Sequence, residues 1–167
     1  VNAISKIAVN THLAGAAGTV AAAVVTRLLG GKTDIVMMLN GALAGLVAIT
    51  AEPLTPSPVL AIAIGAIGSL IMYFGTKFLE SKKIDDVVGA IPVHMFAGIF
   101  GTLVVPLSNS GTNFGTQLTG VIAVCVFSFV LSYITFKVLK QTIGLRISSQ
   151  AEKLGTDVAE VGVKAYA

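Results

Sequence analysis

The chain has 167 residues, of which 54% are apolar and only 11% charged, less than half the share of about 25% carried by soluble domains. With a mean hydropathy of +0.89, this composition excludes a disordered chain, a nucleic-acid-binding domain and an ordinary soluble enzyme. The net charge of +3 does not point to nucleic acid, because the basic residues are scattered between apolar runs rather than gathered in one patch.

In chain order, the sequence opens at Val1 rather than at an initiator Met, with no basic–apolar–small signal pattern after it. It therefore reads as a piece of a longer protein, cut on its N-terminal side. The first apolar stretch runs over Ile7–Leu29 and carries Asn10, Thr11 and His12, then Gly15, Ala16, Ala17 and Gly18. A Gly-Gly-Lys-Thr-Asp turn, Gly30–Asp34, separates it from Ile35–Ala51, which holds Asn40 and the GxxxG pair Gly41 and Gly45. Pro53, Pro56 and Pro58 break the chain before Val59–Leu79, since proline cannot continue a helix. A charged stretch, Glu80–Asp86, leads into Val87–Leu107, and the polar Ser108–Thr116 leads into Gln117–Leu139. The polar tail is Lys140–Ala167.

A helix rises about 1.5 Å per residue, so about 20 residues cross a hydrocarbon core of about 30 Å. Four of the stretches reach that length and Ile35–Ala51 stands at the short limit. The fold class predicted is all-α: a polytopic membrane protein with five transmembrane helices in residues 1–139 and a tail in 140–167. If the spans alternate, Arg27, Lys32, Lys77, Lys82, Lys83, Lys137, Lys140, Arg146, Lys153 and Lys164 fall on one side and only Lys6 on the other. That asymmetry predicts a cytoplasmic tail and an N-terminal end outside. The small residues predict close helix packing, because a bilayer gives apolar burial no drive of its own.

Ionisable groups within the spans are few. His94 lies eight residues into its stretch, among Val93, Met95 and Phe96, with Pro92 two positions before it. Pro92 has no N–H for the Val88 carbonyl, so a kink is predicted below the histidine. Two readings stand for His94: a group facing a pathway, or a neutral histidine bonded to a neighbouring helix. His12, near the outer interface, can reach headgroups or water. Asn10, Thr11 and Asn40 read first as interhelical hydrogen-bonding groups, and Cys125 as packing. Asp85 and Asp86 read as a helix cap, since a carboxylate suits the positive end of a helix. No phosphate loop, nucleophile elbow or HExxH is present, and the pattern calls for neither metal nor cofactor.

Several strings together resemble one family. They are Asn10-Thr11-His12-Leu13-Ala14-Gly15, Leu39-Asn40-Gly41-Ala42-Leu43-Ala44-Gly45-Leu46-Val47 and Asp85-Asp86 ahead of Gly89-Ala90-Ile91-Pro92-Val93-His94. Gly144-Leu145-Arg146, Gly155-Thr156-Asp157 and Ala165-Tyr166 belong to the tail. The chain looks like the C-terminal half of an ammonium transporter of the Amt/Mep/Rh family, over nearly its whole length. The resemblance implies an eleven-helix fold of which these spans are the last five. It also implies a homotrimer in the cell membrane and one narrow hydrophobic pore per subunit, lined by two histidines in edge-to-edge contact. His94 matches the second of them; the first, with the aromatic gate and the outer recruitment residues, would belong to the missing N-terminal half. A minor part in the pathway, or packing alone, is expected of His12, Asn10, Thr11 and Ala90.

The implied function is recruitment of ammonium, its deprotonation and passage of ammonia; the alternative is an ammonium sensor on the same fold. An enzyme is not expected, because His94 has no second catalytic group at usable spacing. Implied partners are ammonium or ammonia, the lipid bilayer and a PII-type regulatory protein on the cytoplasmic side; nucleic acid is not among them. Thr156, Val161 and Val163 depart from the family's usual tail, and Phe100 stands where tryptophan is common.

Overall fold

The computed structural model describes residues 2–165, and among them the regular structure is helical. The chain divides into two compact units, one up to Ile122 and the other from Ala123.

The first unit is built on α1 (Asn2–Gly30), α2 (Ile35–Thr50) and α3 (Pro58–Ser81). Asp34 starts α2: its carboxylate accepts from the Val36 and Met37 N–H groups at 2.9 and 3.0 Å. Ser57 starts α3, its hydroxyl accepting from Leu60 N–H at 3.2 Å, with Pro58 in the first helical position. Both devices satisfy donors that a helix start leaves open. The three helices meet through small residues. A Cβ on Gly18 would run into the Gly41 carbonyl, one on Gly45 into the Ala14 carbonyl, and one on Gly65 would stand 2.5 Å from Ala14 Cα. Ser69 donates to the Gly18 carbonyl at 2.7 Å in the buried seam. Around it lie one cluster of Ala14, Ala48, Ile49, Ala61 and Ile64 and another of Ala44, Met72, Val93 and Ala97.

The fourth helical segment differs from its predicted form. Val87–Gly89 is a turn, with Gly89 at φ +71°, and the helix begins only after it. A π-helical turn, Ile91–Phe96, passes into α4 (Ala97–Leu103) and then a 3-10 turn, Val105–Leu107. Pro92 therefore sits in the first turn, where a missing N–H costs no helical hydrogen bond, and not at an interior kink. His94 correspondingly lies within one turn of the helix start rather than eight residues in. Only Asn2–Gly30, Pro58–Ser81 and Phe114–Thr142 are long and apolar enough to span a membrane by themselves, so three helices, not four, reach that length among the described residues. Ile35–Thr50 and Ile91–Leu107 are shorter apolar helices.

The boundary between the units falls inside α5 (Phe114–Thr142), which has no buried residue. In the second unit, Phe129 and Tyr133 stack with centroids 6.3 Å apart, and Lys137 lies over the Tyr133 ring. The tail forms α6 (Ser149–Leu154), capped by Ser148 and braced by Arg146–Glu152 at 2.8 Å. A π-helical turn, Asp157–Val161, follows, and the Asp157 carboxylate accepts from the Ala165 N–H at 2.8 Å. Backbone hydrogen bonds from Ala165 and then Val158 hold that carboxyl below the usual carboxylate range. Tyr166, part of the tail resemblance, lies outside the described residues.

Candidate functional site around His94

The helix start beneath His94 is closed by two side chains. The Asp86 carboxylate accepts from the Ala90 and Ile91 N–H groups, both at 2.8 Å. Pro92 has no N–H, and Val93 donates to the Gly89 carbonyl at 3.1 Å. All donors of the first turn are thereby accounted for. Asp85 is exposed and makes none of these bonds. From α2, the Asn40 amide donates to the Val88 carbonyl at 3.0 Å.

One face of the segment is buried. Pro92 and Val93 are fully covered, and Ala97 packs with Ala44 and Met72. Phe96 lies against α3 so closely that a Cβ on Gly75 would collide with its ring. His94 and Ala90 are on the exposed face with Val87, Val88 and Met95, an apolar rim left open by the described residues of the first unit. The His94 ring makes no hydrogen bond to any described residue.

The other candidates lie at the opposite end of the bundle. Asn10 is fully buried and donates to the carbonyls of Pro53 and Pro56, both at 2.9 Å, while its Oδ1 is without a partner. It ties α1 to the proline-rich loop. Thr11 is half-buried; His12 is exposed, with Nδ1 2.7 Å from the Ala8 carbonyl of its own helix. The fold thus does not bring His12 and His94 together. Glu52 joins that end as well, accepting from Asn109 Nδ2 at 2.9 Å beside a Thr55–Ser108 hydroxyl pair at 3.0 Å. Those residues read only as separators in the sequence, because partners more than 50 positions apart leave no local pattern. Asn40 was legible as a hydrogen-bonding group, but nothing in the sequence pointed to Val88 as its acceptor. No group of three or more metal-binding side chains is found among the described residues.

This arrangement, a histidine on a short helix with an apolar rim in a multi-helix apolar chain, invites comparison with known transporters. The family model described as Ammonium Transporter Family matches residues 1–166. The chain belongs to that family. Ammonium transporter Amt2 of Archaeoglobus fulgidus is 39% identical over 98% of this chain, and the match spans 39% of that relative. A putative ammonium transporter of Synechocystis, sll0537, is 37% identical over 94% of this chain and 31% of its own length. Among solved structures, one described as Sensor Amt Protein superposes with a TM-score of 0.87 at 35% identity, over 94% of this chain and 42% of its own. Candida albicans Mep2 superposes with a TM-score of 0.80 at 27% identity, over 94% of this chain and 39% of its own. The chain therefore spans between about a third and two fifths of the length of these relatives. It is part of a multi-pass, all-helical membrane protein, and the relatives are named as transporters or a sensor rather than as enzymes.

Proposed function

We propose that this chain is part of a transmembrane ammonium transporter in which His94 lines the substrate pathway. The observation that carries the reading is the setting of His94: an ionisable ring on the exposed, apolar side of a helix whose other side is fully packed. In a chain that spans between about a third and two fifths of its transporter relatives, the remainder of the protein covers that face and brings a second histidine to it.

The chemistry follows from solvation. An intact ammonium ion loses its hydration in an apolar pore at high cost, whereas ammonia does not carry that penalty. Ammonium recruited at the outer mouth gives up a proton. A neutral imidazole has one accepting and one donating nitrogen, so a pair of them can hold ammonia and relay the proton along its path. The complete protein is a homotrimer in the cell membrane. Its basic loops and tail are cytoplasmic, and the tail is the docking place of a PII-type regulatory protein. Asp86 closes the helix start from below; His12, bonded to its own helix, plays no essential part.

The test is ammonium-driven current in liposomes holding the complete protein, normalised to folded protein. His94→Ala removes the proton-accepting group and lowers the current by about tenfold or more, whereas His12→Ala retains most of it. Full current in His94→Ala, or a larger loss in His12→Ala, overturns the reading. A second reading, ammonium sensing on the same fold, is favoured by the likeness to Sensor Amt Protein. It requires ammonium binding without flux in the same liposomes.

A further inference from the structure

We propose that Asn40 is a positioning residue for His94: its side-chain amide seats the Val88–Gly89 turn from which the helix carrying His94 departs. This rests on the reading of His94 as a pathway residue and adds how the ring is aimed. His94 has no side-chain partner within the described residues, so its position is inherited from the backbone. Packing of Pro92, Val93 and Ala97 fixes which face of the helix turns inward. The start of the helix then sets its height and its rotation.

Gly89 is the pivot of that start. Its carbonyl accepts the Val93 N–H at 3.1 Å, and its φ of +71° turns the chain into the helix, a conformation that favours glycine. The Asn40 amide meets this pivot twice. Nδ2 donates to the Val88 carbonyl at 3.0 Å, and a Cβ on Gly89 would stand 2.8 Å from the same nitrogen. A single group therefore satisfies the carbonyl that faces no helical N–H, since residue 92 is proline, and fills the space above the glycine. Asn40 is itself held firmly. Asp34 fixes the start of α2 before it, and Ala44, one turn later, packs against Met72, Val93 and Ala97. Leucine would suit an apolar span better than asparagine; the amide is an expensive choice unless its donor is used.

The test uses the complete protein in liposomes with 15N-labelled histidine, the His94 ring signals being identified by their loss in His94→Ala. Asn40→Leu keeps the size and removes the donor. Asn40→Ser is smaller and too short to reach Val88, and serves if the leucine variant does not fold. In folded protein, each shifts the His94 ring signals, and those of the histidine paired with it, while histidine signals elsewhere stay in place. Current falls about tenfold, less than the ~10²-fold that a misplacement of 1 Å can cost. Asn40→Gln keeps the donor and recovers part of the current. Unchanged His94 ring signals in a folded Asn40 variant overturn the proposal, whatever the current does. Shifted signals with full current uphold the positioning role and instead overturn the pathway reading of His94.

Discussion

At the scale of single residues, the contrast between Asp85 and Asp86 shows how much direction matters. Both are carboxylates at the mouth of the same helix, but only Asp86 reaches the backbone, accepting two hydrogen bonds at 2.8 Å. A charged acceptor at a helix start is worth about 0.5–2 kcal/mol when lost to alanine. Asp86→Ala is therefore expected to lower the thermal stability of the complete protein in detergent by about 1–2 kcal/mol, and Asp85→Ala by much less. Equal effects of the two substitutions would show that the cap does not work through these bonds. Asn10 makes the complementary point at the other end. Two carbonyls share its amide, and its buried oxygen is left without a partner, so its contribution is to hold a loop rather than to stabilise strongly.

At the scale of elements, α1, α2 and α3 are held by contact of backbone with backbone. Gly18 against Gly41, Gly45 against Ala14 and Gly65 against Ala14 leave no room for a β-carbon. Lipid is as apolar as leucine, so dispersion contacts at short range do what hydrophobic burial does in water. Gly65→Leu forces α1 and α3 apart and is expected to cost at least ~1–3 kcal/mol, the ordinary range for overpacking. Gly30→Ala is the matched control: nothing lies within 4 Å of a β-carbon there, and its melting temperature should equal or exceed that of the parent protein. A Gly65→Leu variant that melts with the parent protein would mean that this seam is not what holds the bundle together. The fourth segment follows other rules. It is short because Asp86 and the Gly89 turn start it late, and its opening turn is π-helical around Pro92.

For the whole molecule, charge asymmetry predicts orientation. Apart from Lys6, every basic residue falls on one side of the alternating spans. In complete protein with Cys125 and any other cysteine replaced, a cysteine placed at Ser110 is expected to react with a membrane-impermeant maleimide from outside intact cells. One placed at Lys82 should react only after the membrane is opened. The reverse pattern would invert the topology and move the tail outside. α1, α3 and α5 are each long enough to cross a bilayer, and along the chain they alternate with the shorter α2 and fourth segment.

The all-helical membrane class and the three long apolar helices were legible in the sequence, because apolar run length is a local property of the chain. So was the start of α2, since Asp34 acts on residues two and three positions away. The late start of the fourth helix was not legible, because Val87 and Val88 continue the apolar run while the turn depends on Gly89 at φ +71° and on Asp86 folding back to Ala90 and Ile91. Nor was the role of Asn40, 48 positions from its acceptor, or the separation of His12 from His94. Composition decides which solvent a segment prefers. Which polar group meets which carbonyl is decided only when helices distant in sequence pack side by side, and that pairing sets where His94 stands.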